Sequence, residues 1–307
     1  MGIWQALDQH MDTATGFSVP QRNARGRIVR MGPVLDAVLG AHDYPPAIAA
    51  LLAEALTLTV LLGAMLKSDS GQLTMQAQTS AAENSGVVRL LVCDYRAGDV
   101  RGYVQFDAER LALMGAHPSL FALFGKAYLA ITFDQPVPGK DTPERYQGIV
   151  PLDGVSLAAA AEQYFDQSEQ IPSLVRIAAA EFDGGWHAGG LLLQYLPEGE
   201  VGRERLHVRK DWPDWELVET LGRSVKDAEL LDETLPPTDL IWRLFHDAGE
   251  VRTTGTAPLA RGCRCDPAHI ADVLSRFPES ERDEMRGPNG QINVDCAFCS
   301  RVFALPG

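Results

Sequence analysis

The chain is short of positive charge and of cysteine. Lys and Arg number 27 against 41 Asp and Glu, a net charge of −14. Phosphate affinity needs an excess of Lys and Arg, so this deficit argues against a general nucleic-acid binder. The acidic balance favours solubility instead. Five cysteines in 307 residues cannot make a small secreted disulfide scaffold. After Met1 the chain reads GIWQALDQHMDTATG, with no cationic start and no apolar run behind it. That is not a secretory signal, and the expected location is a reducing cytoplasm. No P-loop, Rossmann glycine pattern, G-x-S-x-G elbow or HExxH occurs. Nucleotide use and hydrolase chemistry therefore have no support, and no catalytic residue is assigned. The seven histidines (10, 42, 117, 187, 207, 246 and 269) are scattered and read as structural or surface groups.

Long apolar runs are also scarce. The one stretch of note is Ala47 to Leu66, twenty residues with a single charge, Glu54. Its length would just span a bilayer. Glu54, Thr57 and Thr59 interrupt it, however, and Pro45-Pro46 suits a helix start, so it reads as a buried core helix with Glu54 reaching a polar partner. No membrane partner is expected.

What remains is ordinary globular composition, 46% apolar and 22% charged. At roughly 150 residues per domain the length suggests about two domains. The expected fold class is α+β: a mixed α/β core with an antiparallel sheet, a helical linker, and a small C-terminal zinc-binding domain.

In the core, residues 1–197, strands are predicted at Arg25–Met31, Gln72–Gln78, Val87–Tyr95, Val100–Phe106, Tyr128–Phe133, Tyr146–Pro151, Leu174–Phe182 and His187–Leu196. Gln72–Gln78, Val87–Tyr95 and Val100–Phe106, the second to fourth of these strands, read as an antiparallel meander, with Thr79–Gly86 as a hairpin loop. Helices are predicted at Pro33–Gly40, Ala47–Leu66 and Ser156–Gln167, the last capped by Ser156. Arg22, Arg25, Arg27 and Arg30 form a basic cluster, read as a solvated or salt-bridged strand edge. Cys93 lies in an apolar strand and reads as inert packing.

Residues 198–256 are an acidic linker, with 14 acidic and 8 basic residues. Trp215, Val218, Leu221, Val225 and Ala228 recur at near-helical spacing. A second helix follows Pro236-Pro237, with Thr238 as its cap and Ile241, Leu244 and Phe245 on one face. Helices this short are unstable alone and must dock on something. Residues 257–307 hold four cysteines and five prolines. About 50 residues cannot supply a core of normal size, and a structural metal is the obvious remedy.

The four cysteines read Cys263-Arg264-Cys265 and, thirty residues on, Cys296-Ala297-Phe298-Cys299. Two close thiol pairs joined by a loop suit a tetrahedral zinc site, one ion per chain. His269 could also ligate, but four thiolates already fill the site. A thioredoxin-like role for Cys296 and Cys299 would want a following helix, and only eight residues follow Cys299. Structural zinc can supply about 10–16 kcal/mol of folding free energy. Disulfides within each pair would close loops of three and four residues, about 1.5–2 kcal/mol each. A bridge between the pairs would close a loop of about 30, worth roughly 3.7 kcal/mol. Local pairing would thus make a switch, and cross-pairing a staple; spacing does not choose between them.

These features resemble the redox-regulated bacterial chaperones of the heat-shock protein 33 family, the 33-kDa chaperonins. The resemblance runs through Arg25–Asp36 (RGRIVRMGPVLD), Tyr44–Lys67, Gln72–Gln78, Glu144–Leu152 (ERYQGIVPL), Tyr164–Pro172 and Leu240–His246 (LIWRLFH), and ends in the C-x-C…C-x-x-C motif. It implies a non-enzymatic, ATP-independent holdase that is off when reduced and zinc-bound. It further implies that oxidation forms Cys263–Cys265 and Cys296–Cys299 disulfides, releases zinc, unfolds the zinc domain and linker, and exposes surface for unfolding clients, with homodimers among active forms. Two other classes remain. A zinc-ribbon nucleic-acid binder would want a basic end, whereas residues 257–307 carry 6 basic and 7 acidic groups. A thiol oxidoreductase would want a low-pKa cysteine beside an accessible partner.

Overall fold

The computed structural model describes residues 10–66, 70–79, 86–137, 139–140, 142–152, 155–182, 184–196 and 213–306. The loop expected at Thr79–Gly86 and the core–linker boundary at 197/198 lie largely outside them. The chain runs β1 (Thr13–Val19), β2 (Ala24–Met31), α1 (Pro33–Leu39), α2 (Pro46–Gly63), β3 (Gln72–Thr79), β4 (Val88–Arg96), β5 (Asp99–Phe106), α3 (Ala108–Ala112), α4 (Leu120–Phe124), β6 (Ala127–Gln135) and β7 (Glu144–Pro151). Then follow α5 (Leu157–Tyr164), β8 (Ser173–Phe182), β9 (Gly185–Tyr195), α6 (Pro213–Arg223), α7 (Asp227–Leu231) and α8 (Pro237–Phe245). Last come β10 (Arg252–Pro258), β11 (Ala260–Arg261), α9 (Pro267–Ser275), α10 (Glu279–Met285), β12 (Gln291–Asp295) and β13 (Val302–Pro306).

Two sheets enclose α2. One has the order β10-β1-β2-β9-β8 and the other β11-β5-β4-β3-β6-β7. The helix meets strands of both. It is apolar all round, as a helix buried on every side must be. Thr57 and Thr59 are fully buried and return their hydroxyls to the carbonyls one turn back, Ala53 O at 2.8 Å and Ala55 O at 2.7 Å. By length and composition α2 could cross a membrane, but 78% of it is buried inside the protein. Glu54 does not find the expected polar partner among the described residues, and burial pushes its carboxyl above the usual range. Gly190 on β9 lets α2 approach closely: a Cβ there would lie 2.8 Å from Leu61 and 2.9 Å from Thr57. Cys93 is fully buried, and desolvation raises its thiol, as packing requires. The expected meander is present, with β4 antiparallel to both β3 and β5. Ser156 caps α5, accepting from Ala159 N at 3.1 Å.

The linker helices lie on the outer face of the five-stranded sheet. Trp215, Val218, Leu240 and Phe245 are buried there against Phe17 and Ile28. Two local expectations fail. The stripe from Trp215 to Ala228 is not one helix: the chain turns between Arg223 and Asp227, Ala228 is exposed, and Leu230 is buried instead. Thr238 does not cap α8. Pro236 occupies the N-cap position, and Pro237, without an N–H to satisfy, begins the helix.

Arg30 also departs from its expected exposure. Its side chain is buried under the linker and donates to Glu229 O at 2.8 Å and to Asp232 O, carbonyls at the end of α7. Replacing Phe245, which lies 5.5 Å from the Phe17 ring, by alanine is expected to cost about 3–5 kcal/mol of packing. The check is hydrogen exchange. Residues 213–248 should lose protection while both sheets keep theirs; unchanged protection in α8 would contradict it.

Candidate metal centre

Each thiol pair is delivered by a short constrained segment. β11 runs parallel to β5, with Gly262 N donating to Val100 O at 3.0 Å, and this places Cys263 at the core edge. Asp266 caps α9, accepting from Ala268 N at 2.9 Å, and so fixes the chain just after Cys265. The other pair sits at the tip of the β12–β13 hairpin. There Cys299 N and Ser300 N both donate to Cys296 O, at 3.2 and 2.8 Å, and Cys296 N donates to Arg301 O at 2.9 Å. Ser300 takes a left-handed backbone, φ 54°, to close the turn.

The four sulfurs lie within 4.8 Å of one another. Cys263 Sγ is 3.6 Å from Cys296 Sγ, and Cys265 Sγ is 3.8 Å from Cys299 Sγ. A tetrahedral ion with metal–sulfur bonds of about 2.3 Å requires sulfur–sulfur edges of about 3.8 Å, so the donor set fits a four-thiolate site. Crowded thiols resist ionising one another: the hydrogen bond with Cys263 and then burial push Cys265 up to about 12. A divalent cation reverses that preference by stabilising all four thiolates. His269 is exposed and stands outside this group.

The family model described as Hsp33 protein matches residues 12–306. The chain belongs to the Hsp33 family. Among its Hsp33 relatives, the 33 kDa chaperonin of Caulobacter vibrioides (strain NA1000 / CB15N) is 39% identical over 302 residues, covering 96% of this chain and 94% of the relative. That of Escherichia coli (strain K12 / DH10B) is 34% identical over 279 residues, 91% and 87% of the two chains. The fold is similar to the crystal structure of the Thermotoga maritima 33 kDa chaperonin, with a TM-score of 0.76 at 23% identity, covering 96% of this chain and 95% of that one. Chaperones are thus the class to which this Hsp33 chain belongs.

The residues enclosed by each thiol pair reach into the core. Arg264, between Cys263 and Cys265, donates to Gln72 Oε1 at 2.8 Å and lies 3.3 Å from Asp94 Oδ2. Asp94, 5% exposed, also holds Arg101 at 2.6 Å. The Arg101 guanidinium lies 4.0 Å over the ring of Phe298, which sits between Cys296 and Cys299, and Tyr103 meets that ring edge-on at 4.9 Å. Ser300 Oγ is 3.0 Å from His42 Nδ1, completing a third tie. Sequence reasoning missed Asp94, Arg101 and His42 in this role. No local signal marks them, because Asp94 and Arg264 are 170 positions apart.

Proposed function

We propose that this chain is an ATP-independent holdase gated by the oxidation state of Cys263, Cys265, Cys296 and Cys299. Three units carry the reading: a core to about residue 197, an acidic linker from 198 to 256, and a zinc-binding redox unit from 257 to 307. The β10 strand crosses the last boundary and pairs with β1, so that boundary marks a change of composition rather than a break in the sheet.

One observation carries the proposal. The segment after the linker is held by its sulfurs rather than by a core. Helices α9 and α10 bury no residue, and Ile292 and Leu305 are the buried apolar side chains of the unit among its described residues beyond β11. The linker immediately before it covers an apolar sheet face.

In the reduced protein the four thiolates hold one zinc, which supplies folding free energy to the unit. On oxidation each pair of thiolates, Cys263–Cys265 and Cys296–Cys299, gives up two electrons, and the oxidant takes them up together with two protons from solvent. With hydrogen peroxide as oxidant, one S–S bond forms, one O–O bond breaks and two waters leave, per pair. The ligands are then gone, and the two short loops return only about 3–4 kcal/mol together. The unit unfolds, the linker loses its anchor, and the sheet face beneath becomes available to unfolding proteins. Sulfur contacts of 3.6 and 3.8 Å run between the pairs, so disulfide mapping is the sharp test of local pairing. The active form is a homodimer in the cytoplasm, and neither nucleic acid nor membrane is a partner.

Peroxide at raised temperature is expected to release about one zinc per chain, and the treated protein to suppress aggregation of an unfolding client. Equal suppression by the reduced, zinc-bound protein would refute gating. Predominant Cys265–Cys296 links would refute the local switch.

A further inference from the structure

The sheet face under the linker is apolar at its centre and cationic around it. Phe17, Ile28, Leu191 and Leu193 form the centre. Arg22 pairs with Asp214 at 2.9 Å, and Arg176 with Asp227 at 3.2 Å. His187 Nδ1 lies 2.6 Å from Glu233 Oε1. In each of these contacts the base belongs to the sheet side and the acid to the linker. Arg30 adds a third guanidinium, spent on the carbonyl end of α7. Glu162, a core carboxylate within electrostatic reach of Arg223 and Glu219 on α6, accepts from Val175 N at 2.8 Å. The linker is therefore a resident ligand of defined chemistry: short amphipathic helices with an apolar stripe and carboxylates beside it.

We propose that the uncovered face selects client segments of that same chemistry, amphipathic helices whose apolar stripe is bordered by Asp or Glu. This deepens the holdase reading and rests on it. Apolar burial supplies affinity without regard to sequence, and the cationic border sets preference among apolar segments. The protein's overall −14 does not oppose this. Charges beyond about 10 Å are screened at 0.1 M salt, so the nearby guanidiniums decide.

The test uses full-length, peroxide-oxidised protein and two fluorescent peptides. One is the linker segment 213–248. The other carries Asp214→Lys, Asp227→Lys and Glu233→Lys on the same apolar stripe. The three contacts are partly exposed and each is worth little alone, so together they are expected to make the acidic peptide bind about tenfold tighter at low salt. That ratio should shrink at 300 mM NaCl (an assay setting of about three times the 0.1 M reference) and in the Arg22→Gln, Arg176→Gln, His187→Gln protein. The acidic peptide should also be the better competitor of client holding. If the oxidised protein suppresses client aggregation yet binds the two peptides equally, or binds neither, the selectivity is wrong while the holdase reading stands. If it suppresses no aggregation, the holdase reading fails and the selectivity with it. The peptide comparison needs no variant protein, so misfolding of the triple variant would not obscure the outcome.

Discussion

Replacing Cys265 by serine is expected to strip the metal from the protein and to unfold residues beyond β11 while both large sheets stay folded. A serine hydroxyl does not ionise near neutral pH and is a poor replacement for a thiolate donor. The remaining three sulfurs then leave the site open. The loss is large because so little else holds the segment. Two short helices bury nothing, a two-stranded hairpin is marginal alone, and a zinc held as proposed would be the dominant source of stability, about 10–16 kcal/mol for comparable sites. Elemental analysis should fall from about one zinc per chain to near zero, and residues 267–306 should become protease-sensitive. Full zinc occupancy in the Cys265→Ser protein would overturn the four-thiolate assignment. Because the linker precedes this segment directly, the same variant should suppress client aggregation without oxidant.

Sequence pattern located most of the scaffold for physical reasons that also explain what it missed. Strands β2 to β5, β8 and β9 show apolar alternation or continuous apolar runs because each buries side chains against α2 or the linker, whereas β7 is exposed at six of eight positions and packs on α5. β10 reads RTTGTAP and is exposed at nearly every position, so no apolar period marks it; its place comes from pairing with β1. β1 itself is buried on both faces and lacks alternation. The break between α6 and α7 was hidden because Val225 is buried from a turn and so keeps the stripe continuous. Arg30 was misplaced for the same kind of reason: its partners are backbone carbonyls about 200 positions away, which leave no trace in side-chain pattern. The thiol cluster was legible because metal geometry constrains spacing within each pair. What the spacing could not carry was how the cluster is fastened to the core.

That fastening converges on Asp94. Its carboxylate accepts from Thr74 Oγ1 at 2.7 Å and from Arg101 at 2.6 and 2.8 Å, and it faces Arg264 at 3.3 Å. Through Arg264 it reaches one thiol pair, and through Arg101 stacked on Phe298 it reaches the other. Asp94→Asn keeps the shape and removes the charge, leaving two guanidiniums close together with no anion between them. Burial and the nearby Arg101 already oppose the charge on Arg264, so the loss falls on a pair with no alternative counter-ion of equal burial. Breaking a buried ion pair costs about 3–5 kcal/mol, and the partial exposure of Arg264 brings the expected effect to about 2–3. The sulfurs are untouched, so zinc should remain near one per chain. Docking of the unit on the core should weaken instead, exposing the site to oxidant. Zinc release by peroxide, followed with a chromogenic chelator, should then run about 30-fold to 100-fold faster than in the unchanged protein and should no longer need heat. Asp94→Glu, which restores the charge one methylene further out, should recover part of the protection. Release at the unchanged rate in Asp94→Asn would mean that the thiol cluster is guarded by its own chelate geometry and not by its contact with the core.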